Sequence, residues 1–141
     1  MKLNTYLHLN GNCREAFDTY ARVLGGKLDF VMTYGESPMA KETPKEMLDK
    51  VMHVHLTAGD QALMGSDAPP GHFQPHGGFS INIDVSGVAE AERVYEALSQ
   101  GGEIRMPLQR TFWAERFGMF VDRFGAPWMV NFQGKAMEKA A

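Results

Sequence analysis

Cysteine is nearly absent: Cys13 is the single one in 141 residues. That excludes an intramolecular disulfide framework and cysteine-built structural zinc sites, and it fits a reducing, cytoplasmic setting. A charge excess is also lacking. Fourteen Lys and Arg against seventeen Asp and Glu leave a net charge of -3, too little to hold nucleic acid or an anionic membrane surface. No basic cluster interleaved with aromatics marks a nucleic-acid contact. No apolar run approaches the roughly 20 residues that span a bilayer. Residues 1–4 open no apolar stretch, so no export signal is expected. A Gly-x-Ser-x-Gly elbow and a Gly-rich phosphate loop followed by Lys-Ser/Thr are both missing.

What is present suits one globular domain. The chain is 44% hydrophobic and 22% charged, ordinary values for a packed core. We expect a single domain over residues 1–134 and a mobile tail over 135–141. The ten methionines suit either an adaptable core or binding surface, or simple replacement of leucine.

Segment 3–10 reads as a strand. A helix follows, with Asn12 as candidate N-cap and Glu15 in capping-box spacing. Cys13, Ala16, Phe17, Tyr20, Val23 and Leu24 form its apolar stripe. Gly25 and Gly26 stop it. Strands are expected over 28–34, 51–58 and 61–64, with a capped turn at Thr43-Pro44-Lys45-Glu46 and a hairpin turn at Gly59-Asp60. Segment 66–78, rich in proline and glycine, reads as the loop between halves.

The order then recurs. A strand over 79–85 leads through Ser86, a candidate cap, into a helix carrying Val88, Ala91, Val94, Tyr95 and Leu98 on one side. Gly101 and Gly102 end it, and strands follow over 103–108, 117–122 and 127–132. The expectation is an α+β chain duplicated internally, with module one at 3–66 and module two at 78–133. Each apolar helix stripe must bury itself on a sheet. The opposite sheet faces are left to enclose a cleft.

Strand alternation sorts the residues between these faces. Met52, Val54 and Leu56 oppose His53, His55 and Thr57. Ile81 and Ile83 oppose Ser80, Asn82 and Asp84. Trp128 and Val130 oppose Met129 and Asn131. In the first strand Thr5 shares a parity with Leu3, Leu7 and Leu9, and Asn4, Tyr6 and His8 take the other. The ligand-binding candidates are Thr5, His53, His55, Ser80, Asn82, Met129 and Asn131. Trp113, in the aromatic run 111–118, either walls the cleft and stacks on a ligand or, with Phe112, plugs the end of the sheet or fills a dimer contact.

His53-x-His55 is the sharpest local signal, because the two imidazoles point the same way. Zinc or iron wants three or four nitrogen, sulfur or carboxylate ligands, and no third strong ligand lies on a matching strand. No cofactor is therefore expected. Cys13 reads as a packed thiol, Asp67 as a loop-closing or capping carboxylate, and Glu36 as a solvated loop carboxylate.

Several of these segments carry a family resemblance over about residues 3–132. They are Asn10-Gly11-Asn12-Cys13-Arg14-Glu15-Ala16 with Tyr20 and Leu24-Gly25-Gly26, Gly35-Glu36-Ser37-Pro38, His53, Leu63-Met64 and Ser66-Asp67. In the second half they are Phe112-Trp113-Ala114, Arg116-Phe117-Gly118, Asp122, Phe124-Gly125 and Trp128. Together they resemble the PhnB-like branch of the vicinal oxygen chelate superfamily, which includes glyoxalases, bleomycin-resistance proteins and dioxygenases. The resemblance implies two βαβββ modules forming a half-open mixed sheet around a cleft, and a homodimer. Metal-dependent relatives place one ligand on each of four strands, and those places here hold Thr5, His55, Ser80 and Met129. Only His55 is a strong ligand. The expectation is a protein that binds a small polar molecule without a metal. The alternatives are a metal-dependent lyase, isomerase or dioxygenase using His55, and a metal-free enzyme whose general base is Glu36, Glu115 or a histidine.

Overall fold

The computed structural model describes residues 1–136 and divides into two compact units, Met1–Pro75 and His76–Ala141. The division falls at the end of the proline-rich stretch.

In the first unit, β1 (Thr5–Leu9) leads into α1 (Cys13–Leu24), then β2 (Lys27–Thr33), β3 (Val51–Ala58) and β4 (Gln61–Asp67). The sheet order is β1-β4-β3-β2. β1 runs parallel to β4, and β2, β3 and β4 form an antiparallel meander. The second unit repeats this plan. β5 (Ile81–Asp84), α2 (Val88–Ser99), β6 (Glu103–Gln109), β7 (Arg116–Val121) and β8 (Pro127–Phe132) build a sheet of order β5-β8-β7-β6. The expected α+β fold of two βαβββ modules is therefore observed. Strand β4 runs three residues past its expected end at Met64, so Ser66 and Asp67 belong to the sheet rather than to the loop.

Helix α1 lies across β2, β3 and β4 and buries Cys13, Ala16, Phe17, Tyr20 and Val23, the stripe that its spacing foretells. Its start differs from expectation. Asn12 makes no side-chain cap. Asp67 instead reaches in from the end of β4, its Oδ1 accepting the Cys13 N–H at 3.0 Å and its Oδ2 the Val51 N–H at 2.9 Å. A carboxylate here satisfies a donor that the first helical turn leaves open and suits the positive end of the helix dipole. In α2 the cap residue is Gly87 rather than Ser86, and the Glu90 carboxylate reaches back to the Ser86 N–H at 3.1 Å.

The two glycine pairs do two jobs each. Gly25 and Gly101 adopt positive φ, +67° and +77°, as a helix stop requires. Gly26 must be bare because a Cβ there would lie 2.6 Å from the Thr57 carbonyl oxygen, and one on Gly102 would collide with that of Val121.

In the second unit Ala91, Val94 and Leu98 of α2 are buried. The Tyr95 ring meets Phe120 edge-on at 5.2 Å. Asp122 ties the β7–β8 turn, accepting the Phe124 and Ala126 N–H groups and, at 2.8 Å, the Trp128 indole N–H. Of the expected tail, Lys135 and Ala136 continue a turn, where the Glu115 carboxylate accepts the Lys135 N–H. Residues 137–141 of that tail lie outside the described residues.

Candidate functional site

The first unit has one sheet face under α1 and one face without a helix. Alternation and register assign residues to each. Leu7 (β1), Gly65 (β4), Val54 (β3) and Val31 (β2) pair in one row on the α1 side. Tyr6, Met64, His55 and Phe30 form the next row on the other side. Thr5 pairs with Leu63, and Leu63 with Leu56, both buried against α1. Thr5 therefore belongs to the helix side, which corrects its assignment to the cleft. Tyr6 and His8 stand on the polar face in its place. Met52 is corrected too. It falls in a register irregularity of β3, and Val51, 1% exposed, takes the core position.

His53 and His55 lie on the polar face, as β3 alternation requires. Each is held through its Nδ1. Tyr6 Oη lies 3.1 Å from His53 Nδ1, with the two rings stacked at 5.6 Å. Asp29 Oδ1 lies 2.7 Å from His55 Nδ1, and its Oδ2 accepts the Thr57 hydroxyl at 2.7 Å. These two hydroxyl and imidazole bonds hold the Asp29 carboxyl below its ordinary pKa. Asp29 faces this way by alternation from Leu28, which pairs with Leu56, and a bulge before Phe30, which pairs with His55, brings Phe30 to the same face. A bulge inserts one residue and re-aims its side chain. His8 packs against Tyr6 at 5.1 Å and Phe30 against His53 at 5.8 Å, so aromatic rings flank the imidazoles.

The other candidates sit in the second unit. Asn82 (β5) pairs with Met129 (β8), and Asp84 with Asn131. The Asp84 Oδ1 accepts both the Asn82 and the Asn131 amide N–H, each at 3.1 Å. Asn131 Oδ1 is buried without a hydrogen-bond partner among the described residues. Ser80 is half-buried just before β5. Trp113 packs edge-on against Phe117 at 5.1 Å and against the exposed Phe112 at 4.8 Å.

The remaining sequence candidates are structural. Cys13 is fully buried, and burial first, then the Asp67 charge, pushes its thiol pKa far up. A thiol so held is no nucleophile. Glu36 bonds back to the Thr33 N–H and hydroxyl at 3.0 and 2.8 Å, and these bonds lower its pKa. The carboxylate is occupied in closing its own turn.

The four places that the resemblance marks for a metal do not fit one. Thr5 faces α1, Met129 is a soft thioether, Ser80 is a neutral hydroxyl, and only His55 is a strong ligand. Among the described residues no three His, Cys, Asp or Glu side chains form a metal-binding group. Sequence reasoning left Tyr6, His8, Asp29 and Asp84 out of the binding candidates, although it set Asp84 on the polar face of its strand. Parity marks Tyr6 and His8 on β1, and alternation from Leu28 marks Asp29 on β2.

The sequence pattern of the Glyoxalase/Bleomycin resistance protein/Dioxygenase superfamily matches residues 2–130. Protein YjdN of Escherichia coli (strain K12) is 34% identical over 139 residues, covering 93% of this chain and 95% of its own. The crystal structure of protein PA1353 from Pseudomonas aeruginosa is 47% identical with a TM-score of 0.87, over 94% of this chain and 98% of that one. A putative 3-demethylubiquinone-9 3-methyltransferase, PhnB protein, from Bacillus cereus is 23% identical with a TM-score of 0.80, over 94% and 99% of the two chains. That last likeness is one of fold.

Proposed function

This chain belongs to the glyoxalase/bleomycin resistance protein/dioxygenase superfamily, and on that premise we propose that it is a PhnB-like member that binds a small polar molecule on the polar sheet face of its first unit. The observation that carries this is the imidazole pair on β3. Both Nδ1 atoms are anchored, by Tyr6 and by Asp29, so both rings are fixed. Their Nε2 atoms have no partner among the described residues, and His55 remains about one-third exposed. Anchored rings with one unused polar atom each are ready to receive a ligand at little ordering cost. In the second unit Ser80, Asn82, Met129 and Asn131, with Trp113, offer a further hydrogen-bonding and aromatic patch. The same reading has the protein act without a metal cofactor, as a homodimer in the cytoplasm.

The test is thermal unfolding of chelator-treated protein against a panel of small polar molecules and, separately, zinc, nickel and iron(II). A ligand at one hundred times its Kd adds about 2.7 kcal/mol. The expected result is stabilisation by an organic molecule that is lost in His55→Ala. Stabilisation by metals alone, or by a molecule indifferent to His55→Ala, would overturn the reading.

A further inference from the structure

The two imidazoles of β3 are anchored by groups of opposite hydrogen-bonding character. An ionised carboxylate only accepts. The 2.7 Å contact from Asp29 Oδ1 to His55 Nδ1 therefore places the proton on Nδ1, and Nε2 of the neutral ring carries the lone pair. Tyr6 differs. Its hydroxyl is a good donor, but the lone pair of a phenol oxygen is drawn into the ring and accepts poorly. At 3.1 Å from His53 Nδ1 it is suited to donate, which would set the His53 proton on Nε2. Same-face neighbours on a strand stand roughly 6.5–7 Å apart at the backbone, a span that two hydrogen bonds of about 2.9 Å, one from each side of a small polar group, can cover. We infer that Tyr6 and Asp29 fix opposite tautomers on His53 and His55, so that the face presents one donor beside one acceptor and selects ligands whose edge carries an acceptor beside a donor, as a secondary amide or lactam does.

The surroundings agree with a neutral, compact ligand edge. Met64 lies next to His55 across β4, and Phe30 lies beside both imidazoles. Thr57 occupies the second Asp29 oxygen, so the carboxylate is spent on holding the ring. Asp29 and Tyr6 are thus positioning residues that act through the imidazoles. A ligand with two acceptors would meet the His55 lone pair, and one with two donors would meet the His53 N–H. Either mismatch leaves a polar group unpaired.

This inference rests on the first-unit face being the binding site, and its test separates the two. Long-range proton–nitrogen spectra of the 15N-labelled full chain at about pH 8, where free imidazole is neutral, report each tautomer. His55 is expected with its proton on Nδ1 and His53 with its proton on Nε2. Tyr6→Phe should release His53 to a mixture and leave His55 unchanged, and Asp29→Ala should do the reverse. The same spectra are then followed while adding 2-pyrrolidinone or N-methyl-2-pyrrolidinone, which lacks the N–H. The lactam should move both histidines and bind at least about tenfold more tightly, the equivalent of one lost hydrogen bond. Matching tautomers in the wild type would overturn the inference alone, even if the lactam binds. Equal binding of the two lactams would overturn the ligand class. Opposite tautomers with no binding by either lactam would overturn the ligand class and count against the proposed binding role.

Discussion

Replacing Asp67 by alanine is expected to be the most damaging single change in the first unit. Its carboxylate is 1% exposed and accepts two backbone N–H groups, Cys13 at the start of α1 and Val51 at the start of β3. A hydrogen bond to a charged group contributes about 1.5–3 kcal/mol, and a buried donor left unpaired costs about 1–3 kcal/mol. The helix dipole adds up to roughly 1 kcal/mol. These terms overlap, so the expected loss is about 3–5 kcal/mol. With roughly 2–4 °C per kcal/mol for a chain of this size, the midpoint should fall by about 10 °C. Urea unfolding followed by circular dichroism gives the free energy, and Tyr34→Phe serves as the control. That change removes only the hydroxyl bond to the Asp67 carbonyl, 2.7 Å long, and should cost about 1 kcal/mol. A loss in Asp67→Ala no larger than in Tyr34→Phe would refute the reasoning, because Asp67 would then not be what joins α1 to β3.

Three further outcomes follow from the packing and the charges. Gly65→Ala would push a Cβ to 2.6 Å from the Phe17 ring and 3.0 Å from the Leu7 carbonyl, so about 1–3 kcal/mol of overpacking should appear in the same urea assay. Burial raises the Cys13 pKa, so its contribution to stability is fully present below the unfolded thiol pKa of about 8.5 and declines above it; folded protein should resist a thiol reagent that reacts at once in urea, and Cys13→Ala should flatten the alkaline limb. The Asp29 pKa is lowered by Thr57 and His55, so its contribution is present above the unfolded value of about 3.9 and is lost as pH falls through the folded value; carboxyl carbon NMR should find it titrating below the usual range, and Thr57→Val should move it up.

Most of the architecture is legible in the residues because local signals and packing agree. The stripe of α1, the glycine pairs and the alternation of β8 each have one physical reading, and the sheets confirm it. The polar face was legible only where strands are regular. His53 and His55 could be assigned from parity, but Phe30 could not, since nothing in its own neighbourhood announces a bulge that depends on pairing with β3. Thr5 was misplaced because two leucines of the same parity, Leu7 and Leu9, take the buried side of β1, on the sheet face that α1 covers. The cap of α1 was invisible for a similar reason. Asn12 has the local chemistry of a cap, yet Asp67, far along the chain, supplies the acceptor.

The most direct measurement is a crystal structure of the protein with whichever small molecule raises its thermal midpoint. The account predicts that molecule on the first-unit face, with polar atoms at hydrogen-bond distance from the Nε2 atoms of His53 and His55. A complex in which it lies elsewhere, leaving both imidazoles untouched, would contradict it.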